Sequence, residues 1–471
     1  MCADATKFSL RDPAGQVFIS GDRVLRHVHA EGLNHLDIFL KSPVLAEFKK
    51  TGQMISGTEK NVSEIPEDLV AAFGPSNWLE HPKIPFVSYP FEWPASVLYD
   101  AGKLTLELAQ KLNSEGILLK DAAADNLTLK NGKLIFLDAL SFEKRPEKSF
   151  LWMAAAQFER AFIIPLLANR LCQIPVSLYL SQTRDGPSPK EVAGLFSGIK
   201  RFHPLVLKHV VMPSMLDGRS PPPEAYQIPR SQSEEKASFI FEQTLKRLDR
   251  AMTKLEPRSD NKSTWSEYAD SHNYDDKSFE KKVSFIRKVS SDLRGKTVLD
   301  IGCNDGYFSK LFLEAGASVI ALDSDPVVVD RLWRKVRNQN LDIIPLVQNI
   351  TSPSPGSGWR NGEKQSFLDR ICGLPHTAIL LAVVHHMMVT DGIPLDEIID
   401  LVAEIVSAEV IIEFIPIDDP MFRKICRGRE NLYSWYDQKS FEISCLRRFE
   451  IIETCLLEPS GRKLYRLRIK S

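Results

Sequence analysis

The 471-residue chain carries 60 basic against 61 acidic side chains, a net charge of −1, with 43% hydrophobic and 26% charged residues. This is ordinary globular composition with no global pull toward nucleic acid or membrane, so neither is expected as a partner, and the length predicts more than one domain. Seven cysteines, odd in number and never spaced Cys-x-x-Cys, argue against a disulfide framework or zinc site and for a reducing, cytoplasmic setting.

Residues 1–245 predict a mixed α/β domain, with strand-like runs at 16–20, 85–89 and 133–137 and helical patterns at 95–115 and 150–171. The stretch 183–230 is rich in Pro, Ser and Gly and reads as loops around one helix. Residues 234–255 place Phe239, Phe241, Leu245, Leu248 and Met252 at helical spacing, and this helix is the expected connector, within a connecting region over 246–278. Within that connector Trp265, Tyr268, His272 and Tyr274 suit either a lid or simple packing. From residue 279 to 471 apolar runs at 296–301, 318–323, 342–348, 377–383 and 409–414 alternate with helical segments. That rhythm predicts a doubly wound, mostly parallel sheet. The apolar stretches 161–168 and 378–384 fall well short of the ~20 residues of a membrane span, and the first residues lack the apolar core of a signal peptide.

The most informative segment runs from Thr297 to Ser309. A buried strand (Val298, Leu299, Ile301) enters the turn Gly302-Cys-Asn-Asp-Gly306, and a helix follows. Glycine there admits positive φ and lets backbone approach a ligand at the carboxyl end of the sheet. A dinucleotide fingerprint would want glycine at Asn304, and the acids Asp300 and Asp305 suit a pyrophosphate poorly. The next strand ends in Asp323, where a carboxylate can accept from both hydroxyls of a ribose. Asp325, just before Pro326, is better placed to cap the next helix. The segment Val298-Leu-Asp-Ile-Gly-Cys-Asn-Asp-Gly306 resembles motif I of the class I S-adenosylmethionine-dependent methyltransferases. That resemblance implies a seven-stranded Rossmann-like domain, with Asp300, Gly302, Asn304, Gly306 and Asp323 around the cofactor. It also implies an adenine contact after the third strand, where the family's usual acid is replaced here by Asn349.

After the fourth strand comes Val384-His-His-Met387, at the mouth of the expected site. A histidine can take a proton from a hydroxyl as a methyl group arrives, so His385 or His386 is the expected base. Adjacent histidines also commonly divide, one packing and one reacting. Glu413 interrupts an apolar strand at the same sheet edge and must be paired if buried, with Arg429 or a substrate hydroxyl as its partner. Ser352-Pro-Ser-Pro355, Gly358-Trp359, the two histidines, Ile412-Glu-Phe414, Arg429-Glu430 and Ser460-Gly-Arg462 together resemble a bacterial nodulation-protein-type methyltransferase group.

In the front half, Asp121 and Asn126 are followed by a turn at Gly132 and by Asp138. This spacing resembles the catalytic base and two metal ligands of kinases and aminoglycoside-type phosphotransferases. A strand–turn–strand would bring Asn126 and Asp138 together over Mg²⁺, with Arg23, Arg26, Lys49 or Lys50 facing a phosphate of ATP. The pattern departs from those enzymes at Leu119, where histidine is usual, and at Ala139, where an aromatic is usual. Asp121 and Asn126 also suit a plain capping turn. The expectation is therefore a methyltransferase acting on a small molecule or carbohydrate hydroxyl, with a degenerate α+β kinase-like domain positioning the acceptor. A bifunctional phosphotransferase–methyltransferase and a non-catalytic scaffold are the alternatives. The sequence sets no oligomeric state.

Overall fold

The structure is a computed structural model that describes residues 6–8, 10–216, 230–258 and 276–470. The chain divides into two compact units, Met1–Arg258 with Gly358–Glu363, and Ser259–Ser357 with Lys364–Ser471.

The first unit opens with five antiparallel strands in the order β1–β2–β3–β5–β4. They are β1 (Thr6–Phe8), β2 (Gly15–Ser20), β3 (Arg23–Val28), β4 (Thr58–Lys60) and β5 (Trp78–His81). Alternation sends Phe18, Leu25 and Trp78 to one face, against Ile65 and Leu69, and Val28 and Leu79 to the other, against Leu36 and Leu140. The segment 85–89 is a loop, not a strand. Pro85 and Pro90 lack the N–H a strand would use, and the Ser88 backbone instead exchanges hydrogen bonds with the Thr128 hydroxyl at 2.8 and 3.0 Å.

The helix Ala95–Asn113 then buries Val97, Leu98, Ala101, Leu104, Leu108 and Leu112, the three–four spacing of an amphipathic helix. Two antiparallel strand pairs follow, one nested within the other. β6 (Ile117–Leu119) pairs with β9 (Phe142–Lys144), and β7 (Leu127–Lys130) pairs with β8 (Lys133–Phe136). Asn131 and Gly132 close the second at φ +49° and +66°, the two-residue turn that matches strand twist. The helix Glu234–Lys254, expected as the connector, is part of this unit. Its Phe241, Leu245, Leu248 and Met252 are buried and Lys103 pairs with Asp249. Phe239 is exposed, because it lies between Ala237 and Phe241 and faces away from both.

In the second unit seven strands run in the order β12–β11–β10–β13–β14–β16–β15. They are β10 (Thr297–Ile301), β11 (Ser318–Asp323), β12 (Ile343–Val347), β13 (Thr377–Leu380), β14 (Glu409–Phe414), β15 (Phe449–Leu457) and β16 (Arg462–Ile469). The first five are parallel, while β16 runs antiparallel to both β14 and β15. This is the mostly parallel Rossmann-like sheet that the resemblance implies. After β12 the chain crosses back to β13 on the other side of β10, which puts a topological switch point at the carboxyl ends of β10 and β13. The aromatic segment 264–274 lies outside the described residues.

Candidate functional site

The turn after β10 places Gly302, Asn304 and Gly306 at φ +79°, +51° and +81°. The N–H groups of Gly302 and Cys303 both donate to the Leu322 carbonyl at 2.9 Å, which ties the turn to the end of β11. A Cβ on Gly306 would lie 2.4 Å from Leu332 Cδ1, and one on Gly302 would lie 3.0 Å from Val383 Cγ2. Glycine is thus favoured by conformation at both places, and at Gly306 by space as well.

Asp323 ends β11, and both its oxygens are oriented by backbone. Oδ2 accepts from Asn304 N at 2.9 Å and Oδ1 from Asp325 N at 3.0 Å. Each oxygen keeps acceptor capacity, the arrangement needed to hold two vicinal hydroxyls. Burial raises the pKa of this carboxyl, while the backbone hydrogen bonds work against it. Asp325 caps the helix Pro326–Gln339 through Val327 N at 2.9 Å, as its place before Pro326 implies. Asp305 pairs with Lys335 at 2.6 Å.

Asp300 is buried beneath the turn and accepts from the Ser309 hydroxyl at 2.5 Å. Burial pushes its pKa up to about 7, against the Ser309 hydrogen bond and the Lys282 charge, and the nearby Asp323 adds to the rise. At Asn349 the side-chain oxygen accepts from Thr351 N at 3.0 Å and Thr351 Oγ1 at 2.8 Å. The residue expected at the adenine therefore holds its own turn with the same atom.

The helix Val384–Val389 starts directly after β13, with Ala382 at φ +54° making the bend. His385 and His386 lie 4.1 Å apart between ring centroids. His385 is only 1% exposed, stacks near Phe422 at 6.2 Å, and neither ring nitrogen has a hydrogen-bond partner among the described residues. Burial, then the neighbouring charges of His386, Arg462 and Lys282, hold its pKa well below the histidine range. His386 is half-buried, and burial lowers it to about 4 against the opposing charge of Asp391. Both imidazoles are neutral at pH 7.

Glu413 is 0% exposed and pairs with Lys282 at 2.6 Å and Arg462 at 3.8 Å; Arg462 in turn binds Asp419 at 2.8 Å. The expected partner, Arg429, donates instead to the Cys426 carbonyl at 3.3 Å. Of the two partners the sequence allows Glu413, an internal cation or a substrate hydroxyl, the structure gives it internal cations, Lys282 and Arg462. Sequence reasoning missed Lys282. Its signal was a lysine inside a stripe that buries Ser278, Phe285, Ile286 and Val289, where a cation needs an acid.

In the first unit the β7–β8 hairpin brings Asn126 alongside the end of β8, with Leu137 N donating to Asn126 O at 2.7 Å. Asp121 Oδ1 caps Ala123 N at 3.0 Å, and Asn126 Nδ2 donates to Asp121 O at 3.3 Å. Asp138 accepts from Arg26 at 2.8 Å, Leu140 N at 3.2 Å and Ser141 Oγ at 2.5 Å. Burial works to raise the Asp138 pKa, but the Arg26 charge and these hydrogen bonds outweigh it and hold the group ionised. Arg26 therefore neutralises this carboxylate through Oδ1, while Ser141 holds Oδ2.

No family model matches the chain. It is 26% identical to nodulation protein NoeA of Rhizobium meliloti (strain 1021) over 460 residues, 97% of this chain and 94% of the relative. It is also 25% identical over 171 residues to the ubiquinone biosynthesis O-methyltransferase of Actinobacillus pleuropneumoniae serotype 5b (strain L20), 33% of this chain and 70% of the relative. Among solved structures, magnesium protoporphyrin IX methyltransferase (ChlM) from Synechocystis PCC 6803 with bound SAH aligns at a TM-score of 0.31 and 18% identity. The alignment covers 41% of this chain and 84% of that one. The strand order, the loop geometry and the sequence relatives agree on an S-adenosylmethionine-dependent methyltransferase.

Proposed function

We propose that the second unit transfers the methyl group of S-adenosylmethionine to a hydroxyl oxygen of a small molecule or carbohydrate, and that the first unit binds or positions this acceptor. The observation that carries the assignment is the Asp323 carboxylate, fixed by Asn304 N and Asp325 N beside a glycine turn at the switch point. S-adenosylmethionine would supply an electrophilic methyl group on a sulfonium. Asp323 holds the ribose hydroxyls, the backbone of Gly302, Asn304 and Gly306 lines the approach, and Asp300 supports the turn from below. Asn349 contributes what acceptor capacity its turn leaves. His386, the more accessible imidazole, takes the acceptor's proton, while His385 packs behind it. Glu413 fixes the first helix, Asp276–Ser290, to β14 through Lys282. An oxygen acceptor is favoured by the relative named as an O-methyltransferase.

The bifunctional alternative draws support from the hairpin that brings Asn126 to Asp138. Against it stands Arg26 on the Asp138 carboxylate, with the Asp121 carboxylate capping Ala123 N and the Asn126 amide on the Asp121 backbone carbonyl. The arginine on the Asp138 carboxylate disfavours a Mg²⁺–ATP site here.

Calorimetric titration of the full chain with S-adenosylmethionine tests the first reading. Micromolar binding is expected, abolished in a folded Gly302→Arg variant and weakened by about 1–3 kcal/mol in Asp323→Ala. A well-folded wild type that binds nothing would remove the cofactor assignment. Titration with Mg²⁺–ATP is expected to give no heat, and micromolar binding there would restore the bifunctional alternative.

A further inference from the structure

A net charge of −1 conceals a local excess of cations around an exposed apolar surface. In the first unit the turn Gly198–Phe202 is followed by a helical run over 204–216. Ile199 is 89% exposed, Phe202 71%, Met212 60%, Met215 68% and Leu216 60%. The run is two-faced. Leu205, Val206, His209, Val210 and Val211 are buried, whereas Met212, Met215 and Leu216 follow Lys208 at i+4, i+7 and i+8 on the outward face.

The cations lie within this surface. Lys200 and Arg201 sit between Ile199 and Phe202, and Lys208 begins the outward stripe. Arg247 and Lys254, on the helix Glu234–Lys254, are near enough to Lys208 to add to the lowering of its pKa that burial begins, with Glu159 opposing them. Among the described residues none of these five cations forms an ion pair, whereas Lys60, Lys111 and Lys246 elsewhere on the unit all do. Unpaired cations interleaved with exposed methionine, isoleucine and phenylalanine are the chemistry of an interfacial anchor. The apolar groups enter the acyl boundary, and the long basic side chains reach the headgroups.

We propose that this face docks the enzyme on an anionic membrane surface. The attachment is peripheral, since no helix among the described residues is long and apolar enough to cross a bilayer. An anionic bilayer offers a continuous negative field beside an apolar layer, which matches both features of the patch at once.

Vesicle flotation of the full chain tests the assignment, with phosphatidylcholine vesicles compared with vesicles also containing phosphatidylglycerol. The chain is expected to float only with the anionic vesicles, and less so as salt is raised. Ile199→Ser with Phe202→Ser, and separately Lys200→Glu with Arg201→Glu, should each lower the bound fraction at least about tenfold. Melting curves establish that these surface variants stay folded. A wild type that floats with neither vesicle overturns the proposal, as do variants that float as well as wild type. Concentration-dependent self-association that the variants abolish, without vesicle binding, would assign the patch to a second copy of the chain instead.

Discussion

Replacing Asp300 by Asn should make the protein more stable while weakening its cofactor site. Burial raises this carboxyl from 3.8 to about 7. Between about pH 4 and pH 7 the folded chain therefore holds a proton that the unfolded chain has lost. Wild-type stability falls as pH rises through that window and levels off above it. The gap of about three units corresponds to at most ~4 kcal/mol. Asparagine never ionises, nearly matches the shape, and can still accept from the Ser309 hydroxyl. In urea denaturation the advantage of Asp300→Asn at pH 8 should exceed its advantage at pH 5 by ~2–3 kcal/mol. Calorimetry should show weaker S-adenosylmethionine binding by the same variant. A stability difference that stays constant between the two pH values would refute the assignment, because only a titrating group produces the slope.

Gly306→Ala should cost about 1–3 kcal/mol in thermal or urea unfolding, since its Cβ meets Leu332 at 2.4 Å and its φ is +81°; an unchanged midpoint would mean that the turn relaxes freely. Lys282→Met leaves Glu413 buried with Arg462 at 3.8 Å as its nearer remaining cation, and a loss of about 3–5 kcal/mol is expected. Recovery of most of that loss in Lys282→Met with Glu413→Gln would show that the cost is the stranded charge. For catalysis, His386 must be neutral, so with its pKa near 4 the rate should be flat from pH 6 to 8 and fall only as pH approaches that value. His386→Asn should lower kcat by about 10²–10⁴-fold; a rate that survives the substitution assigns the proton to another acceptor.

The second unit was legible because parallel strands are buried on both faces and read as short apolar runs: the five expected strands match β10–β14 within about three residues at each end. β15 and β16 escaped notice because they are an antiparallel edge pair. β15 alternates exposed and buried positions with charges at Glu450 and Glu453, and β16 is dense in Arg and Lys that pair across the sheet, as Arg466 does with Glu409. In the cofactor loop, conformation follows from sequence: Gly302 and Gly306 permit the positive φ that the turn adopts. What the sequence could not give is partnership over long separations. Arg26 and Asp138 are 112 residues apart, Lys282 and Glu413 are 131 apart, and neither pair leaves a periodic trace. At Asn349 the unread partner is local instead. The local turn to Thr351 uses the oxygen that a family pattern assigns to a ligand.

Around the switch point most of the described ionisable groups other than Asp323 are paired or held neutral. Lys282 offsets Glu413 and Arg462 offsets Asp419 in buried pairs, while burial keeps both histidines neutral and Asp300 near half-protonated at pH 7. This has a consequence for a reaction in which a sulfonium gives up its positive charge. An uncompensated carboxylate at the reacting centre would stabilise that cation more before transfer than after it, and so raise the barrier. A neutral imidazole does not, and in the proposed reaction it would take the acceptor's proton as positive charge develops on the hydroxyl oxygen. The burial that drives His386 to about 4 also makes it a weak base, which fits a role late in the transfer, when that oxygen has become strongly acidic.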